Sequence, residues 1–121
     1  MKFDLQNAIM KRGLVVDYNP RISTMLDRTG ADVGSDMPIY ETAEYMTFCS
    51  AKLSRQAMEA NPLNIGFCPY VVFLYEAAGQ RGVIVVGYRV PTATAKSSKA
   101  TRAALAAVDR MLGEIIREAV K

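Results

Sequence analysis

The chain contains no histidine and no tryptophan, only two cysteines, and no long apolar run. The missing histidine removes the commonest general base, the commonest transition-metal ligand and the physiological pH switch together. A Ser-His-Asp or Cys-His hydrolase is therefore excluded. Zinc sites of the Cys/His type go with it, because two cysteines fall short of four ligands unless carboxylates or a second subunit contribute. No metal and no cofactor are assigned. A bilayer-spanning helix needs roughly 18 to 20 consecutive apolar residues, and no such run exists, so no membrane partner is expected. The opening residues Met1-Lys2-Phe3-Asp4-Leu5-Gln6 hold no continuous apolar stretch of the secretory kind. Cytoplasmic residence is the expectation.

What is present fits one domain over residues 1–121, long enough to bury a core without a metal or disulfide scaffold. Half of the residues are hydrophobic and 22% are charged, as in an ordinary soluble protein. The 15 basic and 12 acidic side chains leave a net charge of +3, too even a balance to argue for nucleic acid. Acidic residues outnumber basic ones before residue 48, and the basic excess gathers after residue 96.

The pattern of apolar positions predicts the order αβαβαββα. Residues 3–12 have loose helical spacing that Gly13 closes. Leu14-Val15-Val16 reads as a short strand. Asn19 before Pro20 reads as an N-cap, with helical spacing up to Gly30. Residues 40–49 alternate as a strand, with Thr42, Glu44, Met46 and Phe48 on one face. Helix follows from about Ser50 to Ala60, closed by Asn61-Pro62. The runs Tyr70 to Tyr75 and Val83 to Tyr88 are apolar throughout, as central or doubly covered strands are, with a hairpin loop between them. A long final helix starts at Ser97 or Ser98, and Gly113 within it predicts close approach by a neighbouring element. This order favours a two-layer α+β fold, with a largely antiparallel sheet and helices packed on one face. The other face is left for solvent or a partner, and the fully apolar strands favour a homodimer.

Three constellations carry chemistry. Cys49 ends one strand and Cys68 opens another, so both thiols are expected on one rim of the sheet. A thiolate there is favoured by a helix N-terminus and by cations such as Lys52; the competing reading makes both cysteines small buried hydrophobes. Glu44, with Tyr45 and Tyr75 nearby, either lines a polar pocket as an acid or base or simply pairs with a lysine or arginine. Lys96, Lys99 and Arg102 crowd the start of the last helix, either as an anion site or as a solvated basic segment. The methionines fall on apolar faces and read as core filler.

The residues Ala8-Ile9-Met10-Lys11-Arg12-Gly13-Leu14-Val15-Val16, Phe48-Cys49-Ser50-Ala51-Lys52-Leu53 and Phe67-Cys68-Pro69-Tyr70-Val71-Val72-Phe73-Leu74-Tyr75-Glu76, together with Arg89, Pro91 and the closing helix, resemble the family catalogued as domain of unknown function 302. The resemblance spans nearly the whole chain. It implies an α+β fold and oligomers, with no settled activity. Two features depart from the family pattern. Much of the family has proline before the cysteine, whereas Cys68 precedes Pro69 here, which moves the thiol by one residue. Members also commonly begin with a strand before the first helix, so either the sheet lacks an edge strand or the recorded start is internal.

The expected function is that of a small, dimeric binding or accessory protein with a small-molecule or partner site near Cys49 and Cys68. The alternatives are a thiol-dependent redox or sulfur-carrier protein using Cys49, and a purely structural oligomer.

Overall fold

A computed structural model describes residues 1–121. In chain order the elements are α1 (Lys2–Met10), α2 (Ile22–Thr29), β1 (Tyr40–Phe48), α3 (Ala51–Ala60), β2 (Tyr70–Ala77), β3 (Val85–Tyr88) and α4 (Lys99–Ala119). Short 3-10 turns at Ala31–Val33 and Pro62–Phe67 join them. The three strands form one antiparallel sheet in the order β1-β2-β3, and helices pack against it. The α+β class follows directly.

The core lies between the sheet and the α1/α4 pair. Met46 and Phe48 of β1 and Val72 of β2 meet Leu5 and Ile9 of α1 and Val108, Leu112 and Ile115 of α4. Helical spacing on α1 and α4 and alternation on the strands turn these apolar residues toward one another. The buried Phe48 and Tyr70 rings, paired across the ladder, meet edge to face at 5.8 Å. Asn64, buried after α3, donates to the Ala57 carbonyl at 2.8 Å and to Thr101 Oγ1 at 3.1 Å, tying α3 to α4. Gly113 does sit under a neighbour: a Cβ there would lie 3.6 Å from the Tyr88 hydroxyl.

Three expectations need correction. Leu14-Val15-Val16 is not a strand; Leu14 and Val16 pack onto the core instead, and strand-like pairing is a single bridge at Tyr18, opposite Thr47. Asn19 does not cap a helix, since α2 begins at Ile22 with Arg21 before it. Its amide goes instead to Glu44 and to the Tyr45 carbonyl. The apolar run Val83 to Tyr88 is not a central strand. Only Val85–Tyr88 pairs, on one side, and Val83 and Ile84 are exposed. Apolar composition alone does not distinguish a covered strand from an edge awaiting a neighbour.

The two sheet edges are treated differently. On β1, the outward backbone groups of Ala43, Tyr45 and Thr47 are all satisfied. Thr47 N–H donates to Tyr18 O and Thr47 O accepts from Asp17 N–H, both at 2.9 Å. Tyr45 N–H donates to Pro20 O at 3.3 Å, and Tyr45 O accepts from Asn19 Nδ2 at 2.8 Å. The Ser23 hydroxyl serves both Ala43 N–H and Ala43 O. On β3, Arg89 N–H donates inward to Val71 O at 3.0 Å. By antiparallel alternation, Val86 and Tyr88 then point their backbone groups out to an open edge.

Candidate functional site

The thiol rim arises from the β1/β2 register. Phe48 pairs with Tyr70 at the end of the ladder, so the residues that continue each strand, Cys49 and Cys68, leave the sheet together. Ser50 then caps α3 by accepting from Leu53 N–H at 3.2 Å, which turns the chain away immediately after Cys49. Cys68 follows the Pro62–Phe67 turn and precedes Pro69 across a cis peptide bond. Both cysteines are free thiols; Cys49 is exposed and Cys68 half-buried.

The two thiols are near enough for Cys68 to bear on the titration of Cys49. Ser54, one turn into α3, stands 3.2 Å from Cys68 Sγ and 2.9 Å from the Tyr70 hydroxyl. A short polar chain therefore runs Cys68, Ser54, Tyr70 toward the core, with the exposed Cys49 beside its outer end. Asp17 lies on the same rim, bound through its carboxylate to the Thr47 hydroxyl.

Electrostatics at this rim favour the neutral thiol. Burial, chiefly, pushes the Cys49 thiol up from an ordinary 9.0 to about 11. A hydrogen bond to Cys68 and the negative charges of Cys68 and Asp17 add to the rise, and a hydrogen bond with Ser54 opposes it. Although Cys49 is exposed as a residue, its sulfur is partly withdrawn from water. Lys52 is exposed and is not among the groups that act on Cys49. Burial also raises the Tyr70 hydroxyl, the Ser54 hydrogen bond opposing it.

The other candidates stand apart from this rim. Glu44 is only 9% exposed and receives Lys2 Nζ at 3.2 Å and Asn19 Nδ2 at 3.2 Å. That is the ion-paired reading. Tyr45, adjacent in sequence, points to the opposite face, where its ring meets Tyr18 edge to face at 6.4 Å. Arg102 directs its guanidinium onto the carbonyls of Thr94, Ala95 and Ser97 at 2.9 to 3.2 Å, and Ser98 caps α4. Lys96 and Lys99 stay exposed beside it. The basic cluster thus staples its own loop.

Two features had no sequence signal strong enough to find them. One is Ser54, whose role depends on a helix turn meeting Cys68 across 14 residues. The other is a cleft of about 330 Å³ between α2 and the loop that follows it, lined by Leu26, Val33 and Ile39 together with Asp27 and Asp36. A smaller groove of about 160 Å³ is lined by Ile22 of α2 with Tyr40, Tyr45, Phe73 and Tyr75 of the sheet.

No curated protein matches the chain. No helix is long and apolar enough to cross a membrane. A crystal structure titled as that of an uncharacterized conserved protein DUF302 from Bacillus stearothermophilus is similar, with a TM-score of 0.78 at 16% identity, over 98% of this chain and 87% of that one. At that identity the likeness is one of fold. The family model described as domain of unknown function DUF302 matches residues 4–119, and with nearly the full length aligned the chain belongs to that family.

Proposed function

We propose that this chain is a small binding or accessory protein, dimeric in solution, whose ligand site is the rim at Cys49 and Cys68. One observation carries the reading: two free thiols leave the sheet side by side, backed by the Ser54 and Tyr70 hydroxyls. Buried structural cysteines have no need of an exposed partner or of a hydroxyl relay. Cytoplasmic residence accords with this reading, since paired free thiols persist in a reducing compartment. Native mass spectrometry with thiol titration tests it. The expected result is reaction of both thiols in the folded protein, or a bound adduct on them. Reaction only after denaturation, with no adduct, removes the site.

The dimer is supported by the contrast between the sheet edges. β1 is sealed group by group, whereas β3 is bare and continues an exposed apolar run from Val83. An uncharged, unpaired edge invites strand addition, and an antiparallel edge can pair with its own copy about a two-fold axis. Sedimentation analysis should return a dimer for the native chain and a monomer for V85K, because a lysine on the edge blocks pairing. A native monomer overturns this part.

Closeness of the two sulfurs also favours a second reading, reversible thiol oxidation or sulfur transfer at Cys49. The raised Cys49 pKa opposes it, because the thiolate is the attacking species. A measured Cys49 pKa well below 8.5 would reverse the order of the two readings.

A further inference from the structure

Building on the rim as a ligand site, we propose that Cys49 and Cys68 form a two-sulfur site for a soft monovalent cation of the Cu(I) class.

The donor set selects the class. The chain has no histidine, and nowhere do three or more cysteine, aspartate or glutamate side chains converge to hold an ion. Zinc requires about four ligands, and calcium or magnesium requires about six oxygens. Neither can be satisfied within one chain. Two thiolates suit a soft ion that accepts low coordination, and soft sulfur ligands select Cu(I).

The geometry supplies the rest. Cys49 directly follows β1 and Cys68 lies two residues before β2, so the end of the β1/β2 ladder at Phe48 and Tyr70 brings both to one rim. Preorganisation of that kind lowers the ordering cost of binding. Ser54 can donate to Cys68 Sγ at 3.2 Å, the outer-shell contact that orients a metal-bound sulfur. The Asp17 carboxylate on the same rim favours a cation there. Arg89 directs its Nη2 at the Pro69 carbonyl, 2.8 Å away.

Exposure is graded along the pair. Cys49 is the more exposed residue and Cys68 is half-buried, so an incoming donor meets Cys49 first. A site of this form can take an ion from a labile complex and pass it on by ligand exchange. Binding forms two Cu–S bonds, breaks two S–H bonds and releases both protons to solvent, with no change in oxidation state.

The test is an anaerobic titration of the reduced, full-length chain with Cu(I) buffered by the chromophoric chelator bicinchoninate. The expected result is one Cu(I) withdrawn per chain. C49S and C68S should each retain it at least about tenfold more weakly, and S54A should weaken it by about tenfold, the effect usual for an outer-shell partner. Circular dichroism verifies the fold of each variant, and the exposure of Cys49 makes C49S the safest of the three. Three outcomes overturn the inference. They are no withdrawal by the folded native chain, withdrawal by C49S and C68S as strong as that of the native chain, and one ion per two chains lost in C49S alone. If Cu(I) is refused while native mass spectrometry still finds another adduct on the thiols, only the metal class falls. If neither binds, the rim falls as well.

Discussion

Ser54 Oγ bridges Cys68 Sγ, 3.2 Å away, and the Tyr70 hydroxyl, 2.9 Å away, and so links a half-buried thiol to the aromatic edge of the core. A single hydroxyl from one helix turn thereby joins the candidate site to the fold. Removing it affects both.

S54A should lower stability by about 1 kcal/mol, the usual net worth of a hydrogen bond. It should also push the Cys49 thiol higher, because the Ser54 hydrogen bond lowers it in the native chain. Iodoacetamide alkylation followed against pH checks this. The Cys49 profile should move to higher pH in S54A, and an unchanged profile would show that Ser54 does not act on the thiol.

Alkaline pH should destabilise the protein from about pH 9 upward. The folded Cys49 thiol holds its proton to about 11, above its ordinary 9.0, so the native state binds more protons than the unfolded chain between those values. Stability is then full below 9 and falls as pH rises toward 11. Tyr70 and Tyr88, both raised, continue the loss above the ordinary tyrosine range. Urea unfolding at pH 8 and pH 10.5 measures it, and C49S should flatten the decline between them.

N19A should cost about 2 to 3 kcal/mol, since two hydrogen bonds are lost, one of them to a largely buried carboxylate. The same change should loosen the segment that seals β1. Hydrogen exchange at the Tyr45 and Thr47 amides reports it, and those two should lose protection before Val72 does.

R102A should free the carbonyls of Thr94, Ala95 and Ser97, so that the loop before α4 becomes the first site of limited proteolysis. Phosphate should protect neither protein. Protection of the native chain by phosphate, lost in R102A, would revive an anion site at Lys96, Lys99 and Arg102.

Much of this was legible along the chain, for local reasons. The helices over 51–60 and 99–119 announce themselves by caps at Ser50 and Ser98 and by apolar spacing. The strand at 40–48 announces itself by alternation. Capping and periodicity are properties of neighbouring residues, so they need no tertiary information. The joint exit of Cys49 and Cys68 was also readable, because each sits at the end of its own strand pattern.

What the tertiary structure alone decided concerns groups that meet only after folding. Asn19 looks like a helix cap, yet 26 residues away an outward Tyr45 carbonyl claims its amide. Val83 to Tyr88 looks like a covered strand, yet the sheet ends there. Lys52 looks like the activator of Cys49, yet burial and the facing sulfur and carboxylate govern that thiol. Sequence determined which segments fold and which face of each is apolar, because periodicity encodes that. Which polar groups pair, which edge is left open and how a thiol titrates depend on distances through space, and only the packed chain sets those.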